Sequence, residues 1–450
     1  MVDCQIFTTP PRFVRDRPGI VGPAGHGVED SIRPCPDQHM TLFGTHGGFR
    51  TMRSIRSPFS RGRRLTVAAT GLIAALSLTA TGCGGGDDDT SAADKPSGAA
   101  SQGTEGDKVQ LPGNLKDRLK ERGIDADKWA NGGWKNWDKD KWLREAKDFV
   151  NPVIEGLWKP DRMEKAKDPG TTLAAKSSYG DGGYSDPDPQ PVQAKREKTP
   201  YHDYAAPVGK IFFDSPEGSM VCSGTVVKDP RNPGKSNLVW TAGHCVHAGA
   251  QGGWYRNIAF VPSYNDNGKQ GAALQSATQQ EIQPYGQFWA DWVATSNEWI
   301  EGGSHSGSDA FAYDYAVMHV KPEQGTKSLE ETVGNALDVD FTVPEAREIG
   351  TMGAWGYPAA PPYDGQVMHK CLDRPGNLSI GAQLPTMYRI GCTMTGGSSG
   401  GGWFRAVDGK SRLVSNTSMG PADNSWLAGP QLGQGAKSVY DMMSEKYGSQ

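Results

Sequence analysis

Residues 201–450 predict an all-β domain, on three observations. Short apolar runs, GKIFF, VCSGTVV, SNLVWTA, DYAVMHV and SRLVSNTS, are separated by stretches rich in Gly, Pro, Asn and Asp, the punctuation of strands joined by turns and long loops. The span of roughly 250 residues is within the usual range of one large β domain. Four of the seven cysteines, Cys222, Cys245, Cys371 and Cys392, are confined to it, an even set that suits two disulfides formed in an oxidising compartment.

The N-terminal part of the chain reads differently. Residues 1–51, rich in Arg, Pro, Gly and His and carrying Cys4 and Cys35, precede a segment that works at the start of a chain. They read as a disordered upstream extension or a misassigned start. That segment, 52–83, is a signal peptide: five arginines lead into an apolar run from Leu65 to Leu78 that is too short for a membrane span. Its Ala80-Thr81-Gly82-Cys83 ending resembles a bacterial lipobox, which implies lipidation at Cys83, with ordinary secretion after cleavage as the alternative. Residues 84–113 have almost no apolar side chains to offset the entropy of ordering and read as a flexible tether. Residues 114–160, with four tryptophans from Trp129 to Trp142, have charged, helix-compatible spacing and read as a helical pro-region or stalk. Asp138 and Asp140 lack the glycine and the final glutamate of a calcium loop. Residues 161–200 read as a Gly, Pro and Asp-rich linker.

Charge excludes one class of partner. Lys and Arg number 47 against 51 Asp and Glu, a net charge of -4 at pH 7, and no basic stripe offers a footprint for nucleic acid. Contact with a membrane is expected only through the lipid anchor or the signal peptide.

Three residues carry the chemistry. The strand SNLVWTA runs directly into Gly243, His244 and Cys245, which places His244 in a turn at a strand end, where a side chain reaches a cleft; His247 points elsewhere. TGGSSGGGW sets Ser399 among five glycines, a backbone free to form the tight turn that exposes a hydroxyl and aims the N–H groups of Gly397 and Ser399 at one point as oxyanion donors. A serine hydroxyl is a poor nucleophile until a base takes its proton, and the imidazole that does so needs a carboxylate to orient it. Asp314, at the start of the alternating run DYAVMHV, suits that role; Asp309, in the glycine-rich loop GGSHSGSD, reads as solvated. The order His, Asp, Ser then separates the folds that share this chemistry. Gly397-Ser398-Ser399-Gly400-Gly401 matches the α/β-hydrolase elbow, but no histidine follows Ser399. The subtilisin order places aspartate first, and the strand-and-helix alternation of that fold is missing.

Together CSGTVV, TAGHC, DYAV and TGGSSGG resemble the S1 family of trypsin-like peptidases, especially bacterial relatives of glutamyl endopeptidases. The resemblance covers about 201–450. It implies two six-stranded antiparallel β-barrels with the active site between them, a Cys222–Cys245 bridge bracing His244, and a Cys371–Cys392 bridge bracing the loop before Ser399. It also implies that residues just before the serine and on the strand Ser415–Gly420 wall the substrate pocket, here Thr393, Ser418 and Gly420. Thr393 stands where trypsin-like specificity needs an acid, and Asn416, Thr417 and Ser418 stand where glutamyl specificity needs a histidine, so an uncharged side chain is expected in the pocket. Ser398 replaces the aspartate that relatives of the digestive type pair with a new N-terminus, so if residues 84–200 act as a pro-region, activation has to use another contact. No cofactor or metal is expected. The function implied is a secreted or lipid-anchored serine endopeptidase, on the outer face of a bacterial membrane in the anchored case, cleaving protein or peptide substrates through an acyl-enzyme on Ser399. The alternatives are a catalytically silent protease-fold binding protein at the cell surface and an esterase using the same triad.

Overall fold

The computed structural model describes residues 151, 153–169, 184–305 and 308–448. The upstream extension with Cys4 and Cys35, the signal segment with Cys83, the tether, and residues 114–150 of the expected helical segment lie outside the described residues; of the rest of that segment, residues 151 and 153–159 form turns rather than helix. The first strand, β1 (Lys195–Arg196), joins the second half of the domain. The next six are β2 (Val208–Ser215), β3 (Gly218–Val227), β4 (Leu238–Thr241), β5 (Arg256–Pro262), β6 (Phe288–Thr295) and β7 (Ala316–Pro322). They close a barrel in the order β2-β3-β4-β7-β6-β5, every pair antiparallel. The β2–β3 register pairs Ser215 with Gly218 and leaves Pro216-Glu217 as a two-residue turn.

Side chains alternate across this barrel with period two, yet both faces are buried. Ile211 and Phe213 of β2, Ile258 and Phe260 of β5, and Met318 and Val320 of β7 share one apolar cluster. Their neighbours Phe212, Ala259, Val261 and Val317 belong to another. That second cluster also holds Ile154, Trp158 and Met163 from upstream and Ala436, Tyr440, Met443 and Tyr447 of the C-terminal helix Gln434–Tyr447. A sheet covered on both sides needs continuous apolar runs rather than strict apolar–polar alternation, which is why GKIFF and VCSGTVV read as they do. Each large apolar side chain so buried contributes roughly 1.5–3 kcal/mol.

The second half is β8 (Asp338–Val339), β9 (Met352–Gly356), β10 (His369–Asp373), β11 (Gly376–Leu378), β12 (Met387–Gly391), β13 (Gly402–Val407), β14 (Lys410–Asn416) and β15 (Trp426–Pro430). The all-β expectation holds, but this half forms a six-stranded sheet, β1-β10-β9-β13-β14-β8, and a three-stranded sheet, β11-β12-β15, rather than a second closed barrel. One pair, β14 with β8, is parallel. Between β12 and β13 the chain leaves the extended form and bonds to both halves, with Ser223 N–H on Ser399 O at 2.7 Å from the first barrel and Gly400 N–H on Thr417 O at 2.7 Å within the second. The Cys371–Cys392 disulfide, with Cα atoms 5.6 Å apart, ties β10 of one sheet to the end of β12 in the other.

The folded unit also begins earlier than residue 201. Pro160–Lys165 is a helical turn with proline in its first position and Met163 buried. Lys167 pairs with β3, and β1 pairs with β10. The composition of 161–200 is that of a linker, but a few apolar and hydrogen-bonding anchors fasten its described residues to the two halves.

Candidate active site

β4 ends at Thr241, and the chain turns through a 3-10 segment, Gly243–Cys245, that lifts His244 out of the ladder. A side chain on Gly243 has no room: its Cβ would lie 2.6 Å from Thr295 Oγ1, 2.9 Å from Trp299 Cγ and 3.0 Å from Asp314 Oδ1. The Cys222–Cys245 disulfide, with Cα atoms 6.0 Å apart, pins the turn to β3. Both bridges are therefore the pairs the resemblance implies. Trp299 packs beside the imidazole, ring centroids 6.0 Å apart, and its indole N–H donates to His247 O at 2.9 Å.

Asp314 sits between the 3-10 segment Asp309–Tyr313 and β7, fully buried like His244. Its Oδ1 accepts the His244 backbone N–H at 2.8 Å, and its Oδ2 lies 2.7 Å from His244 Nδ1. Ser418 Oγ donates to the same Oδ2 at 2.6 Å, and Asn416 Nδ2 donates to the Asp314 carbonyl at 3.0 Å. An ionised carboxylate only accepts hydrogen bonds, so Nδ1 carries the proton and Nε2 is left with its lone pair, the tautomer a general base needs. Nε2 is buried and has no hydrogen-bond partner among the described residues. The pair is held by its own geometry: the buried carboxylate answers to three donors.

The serine loop reaches the same cleft from the second half. Gly397, at φ +89°, is closed in by Ala359 Cβ at 2.7 Å and Tyr357 O at 2.8 Å from the position a Cβ would take. Gly400, at φ +75°, lies against Thr241, Ser223 and Ala242, so the residue after Ser399 touches the strand that ends two residues before Gly243. Ser223 Oγ donates to Gly397 O at 2.9 Å, and Gly400 N–H donates to Thr417 O at 2.7 Å. No hydrogen bond from the N–H of Gly397 or of Ser399 is found among the described residues, which leaves both donors for a ligand. The Ser399 hydroxyl is not hydrogen-bonded to Nε2 in this state; such contacts often tighten only around substrate.

The pocket beside Ser399 differs in part from expectation. Gly420 lines it, and so does Ser418, but the hydroxyl of Ser418 is committed to Asp314. Thr393 is not among the lining residues: its Oγ1 accepts Ala194 N–H at 2.9 Å and meets Tyr363 OH at 3.0 Å, because residues 192–194 lie along it. Met394, Thr395 and Gly396 take its place, facing Met419, Pro421 and Leu427. Asp168 also lines the pocket, as the single charged residue there among the described residues. Sequence reasoning missed Asp168, Met394, and the roles of Ser418 and Asn416. The polar run Ser415–Ser418 that directly follows the apolar Leu413-Val414 was the available signal for the last two, since hydroxyls and amides carried into a core must find partners.

The rejected candidates stay apart from the centre. Asp309 is exposed at the start of its 3-10 segment. His247 accepts Gly249 N–H at 3.0 Å and packs edge-on to Trp254, and burial pushes its pKa down to about 4. His305 is closer: its Nε2 meets Tyr255 OH at 2.8 Å, its ring lies 5.9 Å from that of His244, and burial, with His244 adding to it, lowers its pKa to about 4. Cys222, His244 and Cys245 cluster tightly enough for a metal, but the two sulfurs are bonded to each other and have no thiolate to offer.

No protein-family profile and no curated protein matches the chain. Solved structures are similar to part of it. A thermostable serine protease, AL20, from an extremophilic microorganism shares 31% identity over 54% of this chain and 98% of its own, with a TM-score of 0.44. Protease Anisep from Arthrobacter nicotinovorans shares 28% over 56% of this chain and 99% of its own, TM-score 0.46, and a Glu endopeptidase shares 14% over 60% and 99%, TM-score 0.40. A closed antiparallel barrel bearing the histidine and the aspartate, a second β half bearing the serine loop, and the chain order His, Asp, Ser are the fold and constellation of the chymotrypsin-like serine peptidases, and the chain belongs to that S1 family.

Proposed function

We propose that the protein is a serine endopeptidase acting outside the cytoplasm. Ser399 Oγ attacks a peptide carbonyl, His244 Nε2 takes its proton and returns it to the leaving amine, and Asp314 holds the imidazole in that tautomer and balances the imidazolium. The N–H groups of Gly397 and Ser399 bind the oxyanion, and water then releases the acyl-enzyme. One observation carries the reading: a buried carboxylate grips both the ring and the backbone of His244, leaving a proton-accepting nitrogen buried without a partner among the described residues. A structural histidine has no need of that arrangement. Apart from Asp168 the pocket walls are uncharged, which supports an uncharged substrate side chain. The export signal over 52–83 and the two disulfides support secretion or lipid anchoring at Cys83.

The test uses a fluorophosphonate probe and casein. The full chain is expected to be labelled on Ser399 and to hydrolyse casein, and Ser399→Ala to do neither. Absence of labelling in folded, disulfide-bonded protein would favour a silent binding protein, and hydrolysis of p-nitrophenyl esters without casein cleavage would favour an esterase.

A further inference from the structure

One wall of the pocket beside Ser399 comes from upstream in the chain. Upstream of the barrel, Asn151 Nδ2 donates to Ile258 O at 2.9 Å and to Ala290 O at 2.7 Å, while its Oδ1 accepts Ile258 N–H at 2.8 Å. Trp158 is wholly buried, with its indole N–H on Asn257 O at 2.7 Å. Arg162 lies 4.1 Å above the Trp158 ring and clasps Asp214 at 2.7 and 2.9 Å. These anchors deliver Lys167 to the edge of β3, where its N–H donates to Ser219 O at 2.9 Å and its carbonyl accepts Val221 N–H at 2.8 Å. Val221 adjoins Cys222, whose disulfide partner follows His244.

The next residue, Asp168, turns its carboxyl into the pocket. A methyl group added to Gly396 would collide with that carboxylate, and Ser399 is on the same lining. A side chain of a bound substrate has to enter this space to bring its carbonyl to Ser399. Occupancy by a tethered group competes with it at a high effective concentration, without any encounter step.

We propose that Lys167-Asp168 is a cis-acting ligand of the substrate pocket, so that the upstream segment docked on the barrel inhibits the enzyme competitively. This deepens the peptidase reading and rests on it. It gives the upstream segment a way to mask the site that does not involve Ser398. The inhibition is set by one carboxylate and is relieved when that group leaves the pocket, while Trp158 and Arg162 stay seated.

The experiment compares the full chain with Asp168→Ala. The variant is expected to react with the fluorophosphonate about tenfold faster and to show a lower KM for casein with little change in kcat, at an unchanged melting temperature. Equal or slower labelling in a folded variant overturns the proposal. Hydrogen exchange gives a readout independent of catalysis: in Gly396→Ala the amides of Lys167 and Val221 should lose protection, and unchanged exchange there overturns the occupancy. If no form is labelled, the peptidase reading itself fails, and the exchange measurement alone decides whether the pocket holds Asp168.

Discussion

The two sides of the cleft are built by opposite means. On the barrel side the site is fixed by what side chains add: a disulfide, a carboxylate that grips both ring and backbone of His244, and an indole packed beside the imidazole. On the other side it is fixed by what side chains omit: Gly397 and Gly400 adopt positive φ and let the backbone approach Tyr357 O and Ser223 O. The difference follows from the chemistry proposed for each side. A base must be held in one tautomer by directional bonds, whereas oxyanion donors are backbone N–H groups that only need to be brought close and left uncovered.

The sharpest way to break the comparison is Asp314→Asn. Nδ1 would then face an amide that can donate as well as accept, the imidazole would lose its enforced tautomer, and kcat should fall about 10⁴-fold. Turnover of casein, measured beside a far-UV and near-UV CD check on folding, reads the effect. A loss below about tenfold in a folded variant would mean that the wiring around His244 is structural and would remove Asp314 from the mechanism.

Gly400→Ala tests the other side. The new methyl would overlap Thr241 Oγ1 and lie 2.6 Å from Ser223 O and 2.9 Å from Ala242 N, at a φ of +75° that an L residue rarely adopts. Two of those neighbours are backbone atoms, which cannot rotate away. Strain and overpacking together should cost about 2–4 kcal/mol, read from the urea midpoint at constant m-value. A cost below about 0.5 kcal/mol would show that the loop is loosely seated and that glycine serves flexibility there rather than close approach.

How far the sequence foretold each side follows the same division. TAGHC and DYAV sit at the ends of strands whose apolar runs are unmistakable, so the pairing of His244 with Asp314 was legible, as were the two disulfides once the family resemblance was drawn. The glycine run marked Ser399 but not its surroundings. Thr393 faces residues 192–194 rather than the pocket, and Ser418 serves Asp314; both depend on which neighbour a strand acquires in three dimensions, a choice that local periodicity does not encode. Asp168 lies in a stretch whose composition is that of a linker, and only the docking of Trp158 and Lys167 brings it to Gly396. The second half was expected to close as the first does, and it forms two sheets instead, with β8 and β11 as short strands of two and three residues at their edges.

One group couples the two sides, and its titration sharpens the comparison by the smallest measurable step. Lys210, on β2 of the barrel, is almost completely buried and donates from Nζ to Gly365 O at 2.7 Å, with the rings of Tyr264 and Phe212 at 4.7 and 5.0 Å. Gly365 N–H is bonded in turn to Pro358 O, and Ala359 N–H to Gly396 O at 2.6 Å, so this barrel lysine props the loop that backs the glycine turn. Burial pushes its pKa down to about 7, while an unfolded lysine titrates near ~10.4. Below pH 7 both states hold the proton and the folded state bears the full cost of a buried charge. Between pH 7 and about 10 the unfolded state retains a proton that the folded state has released, so unfolding free energy rises with pH through that window. Lys210→Met removes this term. Relative to the parent it should show a stability gain from pH 7 to 8 that is smaller by on the order of 1 kcal/mol, measured by urea unfolding at each pH. Identical slopes in the two proteins would mean that Lys210 keeps its charge throughout, and that the loop behind Gly396 leans on an ammonium ion rather than on a neutral amine.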